Sequence, residues 1–173
     1  MSDFIKVKLV QIIDESNRHI KRMLSAYKKM QSFMPLDFEK YESLTEDQIE
    51  HLDQFVFRFS KLQDSMGEKL FSTFLLNLEE DVKSKTFIDI LNRLEQLGLL
   101  YREDWTYLRK LRIGIAHEYS TNTDEIIENL NELFLKAKVL YQIFVKIKDF
   151  TLENIVDKAQ FENKYLLKTL DFN

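Results

Sequence analysis

Between Ile49 and Leu78 an apolar residue keeps returning at helical spacing: Ile49, Leu52, Phe55, Val56, Phe59, Leu62, Met66, Leu70, Phe74 and Leu78. Residues three and four apart share one face of a helix, so this stripe predicts a long amphipathic helix. Thr45-Glu46-Asp47-Gln48 ahead of it reads as a capping box. Gly67 interrupts the stripe, which predicts either a bend or the close approach of another backbone. The chain holds only 3 glycines and 1 proline in 173 residues. Those residues punctuate turns and strands, and no alternating Val/Ile/Thr run bounded by Gly or Asn occurs. The expectation is an all-α fold.

The other helices follow from the same periodicity. The first runs from about Asp3 to Phe33 on Phe4, Val7, Ile13, Ile20, Leu24, Tyr27 and Met30, and Pro35 ends it. Pro35 to Ser43 is a connector whose Leu36, Phe38 and Tyr41 should pack on the body. A short helix opens at Thr86 and stops at Gly98. Another starts near Arg102 and ends around Tyr119. Asn122, with Glu125 three residues on, caps a last long helix to about Asp149. Its face is Ile126, Leu130, Leu133, Phe134, Ala137, Leu140, Tyr141 and Phe144. The weaker pattern after Thr151 suggests one more helical segment. The architecture expected is an up-and-down helical bundle of four main helices over residues 1–150, with a C-terminal helical extension or tail over 151–173.

Composition narrows the function classes. With 45% hydrophobic residues the chain can build a core. It has no cysteine, so disulfides and thiolate metal sites are excluded. The charged N-terminus lacks a signal-peptide core, and no apolar run approaches the roughly 20 residues needed to cross a bilayer. A cytoplasmic protein without a membrane partner is expected. The net charge of −4 offers no global attraction to nucleic acid, so any RNA contact needs a local basic patch. No Gly-rich phosphate loop, nucleophile elbow or zinc motif occurs, and no metal or cofactor is expected. His19 and His51 read as surface residues.

One stretch concentrates chemistry: LRKLRIGIAHEYS, Leu108 to Ser120. Histidine takes and returns protons near neutral pH, and arginine holds phosphate oxygens with its planar fork. RNA supplies its own nucleophile, the 2′-hydroxyl. An Arg/His pair can therefore cleave RNA without a metal, His117 moving protons while Arg112 steadies charge on the phosphorus oxygens. Arg102, Arg109 and Lys110 add local positive charge, with Arg109 and Lys110 as RNA-binding candidates. On a straight helix Arg112 and Tyr119 share nearly one face, whereas His117 lies about 140° from Arg112. A distortion at Gly114, or a site built between two subunits, would bring them together. Against this, a histidine in the last turn of a helix is also favoured by the helix dipole alone.

RIGIAHEY resembles the Arg-x4-His-x-Tyr signature of the HEPN-domain family, and specifically its HepT-like toxins. FRFSKLQDSMGEKLF (Phe57 to Phe71), FIDILNRLEQLGLL (Phe87 to Leu100) and DWTYLRKLRIGIAHEY (Asp104 to Tyr119) occur in the order associated with that family. The resemblance covers roughly residues 1–148. It implies a homodimer with two motifs lining one cleft, and a metal-independent endoribonuclease of a toxin–antitoxin pair. Arg112 and His117 would be catalytic. Tyr119 would match the tyrosine that a cognate minimal nucleotidyltransferase antitoxin AMPylates, adding negative charge and bulk at the cleft. Ile113 stands where the family usually carries a polar residue, most often asparagine. A weak or inactive HEPN-like module that binds its partner nucleotidyltransferase is therefore the alternative expectation.

Overall fold

The computed structural model describes residues 3–116 and 122–173. Among them the chain is all-α, with no strand. The helices are α1 (Asp3–Met30), α2 (Phe38–Glu42), α3 (Glu46–Ser65), α4 (Phe71–Asn77), α5 (Phe87–Gln96), α6 (Arg102–Ala116) and α7 (Thr123–Asn154). α1 packs along α3, and α6 packs along α7. Their apolar stripes meet in one core that includes Ile13, Ile20, Phe55, Phe59, Leu111, Leu133 and Phe144. Tyr27 of α1 stacks on Phe134 of α7 with ring centroids 4.4 Å apart, fastening the two helix pairs together.

The caps lie where the sequence puts them. Thr45 and Gln48 form the reciprocal capping box of α3, and Thr86 with Asp89 forms that of α5. Asn122 Oδ1 accepts from the Glu125 amide at the start of α7. Gly98, at φ +73°, follows α5 in the left-handed geometry that a glycine tolerates. The Pro35 connector is held by Asn131, whose amide donates to Leu36 O (2.8 Å) and accepts from Leu36 N (2.7 Å). It also contains the short helix α2, capped by Asp37.

Four details differ from the expectation. The helix after Thr45 is interrupted by a wider turn with π-type hydrogen bonding over Met66–Leu70, so α3 and α4 are separate α-helical stretches. Phe4 and Ile49, on the expected apolar faces, are exposed, each in or next to the first turn of its helix at the margin of the bundle. His19 and His51 are not freely exposed. Their side chains are largely covered, His19 beside Arg58 and Glu15, His51 beside Asp47.

The fourth difference is at the C-terminus. α7 runs unbroken through Asp149 to Asn154, so the backbone does not pause at residue 150. Beyond it there is one 3-10 turn, Lys158–Gln160, and otherwise irregular chain rather than a further bundle helix. This strap is docked. Asn17, buried in α1, donates to Leu166 O (2.7 Å) and Lys168 O (3.2 Å). Asp14 accepts from Leu166 N, and Tyr141 donates to Leu170 O. Leu167 and Phe172 are buried, the Phe172 ring lying 4.7 Å from Tyr27. The weak helical periodicity after Thr151 is thus an irregular chain whose apolar residues are placed by docking.

Candidate functional site

α6 carries Arg112 against the flank of α3. Trp105, Leu108, Leu111 and Ile115 are its buried positions, which fixes its rotation. Arg109 and Arg112 then project beside α3, and Arg112 Nη1 donates to the Ser60 carbonyl (3.3 Å) and to the Asp64 carboxylate. The Arg112 side chain is partly covered and that of Asp64 partly exposed. The pair therefore orients the guanidinium more than it stabilises the fold.

The wider turn shapes the floor beside it. An extra residue in a helical turn rotates the next stretch of helix and opens a gap in the side-chain wall. Gly67 lies in this turn, and a Cβ there would sit 3.1 Å from Trp105 Cζ2. The glycine thus admits the flat indole of α6, a side chain and not a second backbone. Trp105 also packs edge-on to Phe71, with centroids 4.7 Å apart. Between α3, the wide turn and α6 lies a cavity of about 320 Å³, lined by Gln63, Asp64, Glu68, Phe87, Arg109 and Arg112 among others. Gln63 is only 2% exposed. Among the described residues its amide and the Trp105 Nε1 have no hydrogen-bond partner.

The structure brings some of the residues expected from sequence together and separates others. Arg112 and Arg109 meet at this cavity. Lys110 does not, lying about 160° from Arg112 around α6. Arg102, two turns before Arg109, donates to Asn92 Oδ1 of α5 (3.0 Å). His117 and Tyr119 lie outside the described residues. The α-helical hydrogen bonding of α6 continues through Gly114 to Ala116. A Cβ on Gly114 would lie 2.6 Å from Asn129 Nδ2, the far end of an α7 side chain and not the α7 backbone.

Sequence reasoning does not single out Asp64, Ser60, Gln63 and Trp105 as neighbours of Arg112. The one signal it holds is Gln63-Asp64, a polar pair set against the apolar stripe between Leu62 and Met66. Electrostatics adds a neighbouring feature. Burial lowers the His19 pKa below the ordinary histidine value, and the Arg58 charge lowers it further. Lys61 and Lys69 act in the same sense, against Glu15.

No family model, curated protein or solved structure matches this chain. Among the described residues no helix is long and apolar enough to cross a membrane.

Proposed function

We propose that the protein is a metal-independent endoribonuclease toxin of the HEPN type. In this reading Arg112 and His117 cleave RNA in a cleft formed by two copies of the chain. The observation that carries it is the setting of Arg112: a guanidinium oriented by Asp64 and Ser60 O at the rim of a cavity it shares with Arg109. A side chain so fixed meets a phosphate with its fork already aimed, which lowers the cost of ordering it. His117 then takes the proton of the RNA 2′-hydroxyl as that oxygen attacks phosphorus. The bond from phosphorus to the 5′-oxygen breaks, a proton goes to the leaving oxygen, and a 2′,3′-cyclic phosphate remains. Arg112 stabilises the charge that grows on the non-bridging oxygens.

AMPylation of Tyr119 by a cognate minimal nucleotidyltransferase antitoxin would silence the enzyme by charge and bulk at the cleft. The test is cleavage of RNA in EDTA by wild type, Arg112→Ala and His117→Ala. Cyclic-phosphate ends from wild type, lost in both variants, support the proposal. Activity that survives His117→Ala overturns the assignment.

A second reading has its own observation. Ile113, next to Arg112, is 46% exposed. An apolar side chain in the polar position of the motif suits a module that has kept a binding face and lost cleavage. Co-purification with a nucleotidyltransferase, with RNA left intact, selects that reading.

A further inference from the structure

The cations of α1 and α3 form a surface that the Arg112 motif does not use. Arg18, Lys21 and Arg22 of α1, with Gln54 of α3, line a depression of about 410 Å³. One turn beyond Gln54, Arg58 Nη1 lies 3.2 Å from His19 Nδ1, which ties α3 back to α1. In this setting Phe57 is 52% exposed. Its ring centroid lies 5.3 Å from Arg58 Cζ and 5.6 Å from Lys61 Nζ. Among the described residues Arg18 is paired with Asp14, whereas Lys21, Arg22, Arg58 and Lys61 pair with no carboxylate.

The stripe leads to Arg112. Phe57 and Asp64 lie within about 20° of one line along α3, two turns apart, and Lys61 stands between them. Asp64 is the residue that holds Arg112. Carboxylates border these cations, Glu50 and Asp53 on the N-terminal side of Phe57 and Glu15, paired with Lys69, on the other.

We propose that this α1/α3 face is the track for single-stranded RNA entering the Arg112 site. An unpaired base stacks on Phe57, and Lys21, Arg22 and Lys61 take the flanking phosphates. The proposal rests on the ribonuclease reading and adds to it the surface along which the strand reaches the site. An exposed ring between two cations suits a base with a free face and phosphates on either side. A duplex keeps its bases stacked inside and offers the ring nothing.

The test uses the full chain and a fluorescein-labelled single-stranded RNA oligonucleotide, with a hairpin duplex of the same composition beside it. Binding is read by anisotropy at several salt concentrations in a His117→Ala background, and cleavage is read with His117 intact. Tighter binding of the single strand is expected. Phe57→Ala should weaken it about tenfold, the loss of one stacked base, and should raise KM more than it lowers kcat. The combined Lys21→Gln, Arg22→Gln and Lys61→Gln variant should flatten the log–log salt dependence by about 2, at roughly 0.7 per lost phosphate contact. Leu135→Ala, an exposed site on α7, should change nothing. If wild type cleaves RNA but both variants bind as wild type does, or the duplex binds equally well, the track is overturned and the ribonuclease reading stands. If wild type neither binds nor cleaves RNA, the ribonuclease reading itself fails and the track with it.

Discussion

Asn17 is the residue through which α1 holds the C-terminal strap. It is 1% exposed, and its amide nitrogen donates to Leu166 O and Lys168 O. Asn17→Ala removes both bonds and leaves two carbonyls to find other partners. At about 1 kcal/mol net per bond the cost is about 2 kcal/mol, or roughly 4–8 °C in Tm for a domain of this size. Asn17→Asp is worse near neutral pH, because a carboxylate beside two carbonyl oxygens accepts and cannot donate. Its folded pKa is raised above the unfolded carboxylate value. The penalty is therefore full at neutral pH and shrinks as pH falls through that raised pKa, where the protonated acid regains one donor. Urea unfolding gives the stability order, and amide hydrogen exchange over residues 164–171 reports the docking. An Asn17→Ala protein within about 0.5 kcal/mol of wild type, with those amides equally protected, would refute the idea that this side chain pins the strap.

Two more outcomes rest on contacts within the bundle. Burial and the neighbouring cations lower the His19 pKa, so the folded state resists protonation that the unfolded state accepts near pH 6.5. Stability should hold above that pH and decline as pH falls below it, and His19→Gln should flatten this decline in urea midpoints compared at pH 7 and pH 5. Gly114→Ala should gain up to about 1 kcal/mol of helix propensity, since its Cβ meets only the movable end of Asn129; a loss of more than about 1 kcal/mol in thermal unfolding would mean that Asn129 is locked.

Part of the fold is legible in sequence because local physics decides it. The capping boxes at Thr45 and Thr86 and the arrest of α1 before Pro35 need only neighbours a few residues away. The strap is different. Its apolar residues mimic a helix, yet Leu167 and Phe172 are placed by Asn17, Tyr27 and Tyr141, all remote in sequence. The wide turn at Met66–Leu70 is hidden for a similar reason. Gly67 signals a close approach, but nothing local says that the visitor is the Trp105 indole. At the candidate site, the residue types of the Arg112 motif are readable. Its α3 partners Ser60 and Asp64 come only from packing, because burial of Leu108, Leu111 and Ile115 has to rotate α6 before Arg112 acquires a direction.

That direction bears on how a histidine reaches Arg112. Arg112 faces α3, and Ile113, the next residue of α6, lies about 100° round the helix axis from it. There it is 46% exposed, an apolar side chain open to solvent beside the arginine. If a second copy brings its histidine to this arginine, the contact runs over Ile113, and a two-fold axis buries the residue twice. Ile113 is already about half covered, so completing its burial is worth about 1 kcal/mol per copy, roughly 2 kcal/mol per dimer. Ile113→Glu forfeits that and sets like charges near each other, which should raise the dimer dissociation constant by at least about thirtyfold. The monomer should remain helical by circular dichroism, because the substitution adds a charge where solvent already reaches. Sedimentation equilibrium gives the dissociation constant, and RNA cleavage measured at the same concentrations should fall with the dimer fraction. Should Ile113→Glu stay dimeric with wild-type affinity, the interface lies elsewhere on the chain; should it become monomeric yet cleave at the wild-type rate, Arg112 and His117 must meet within one subunit.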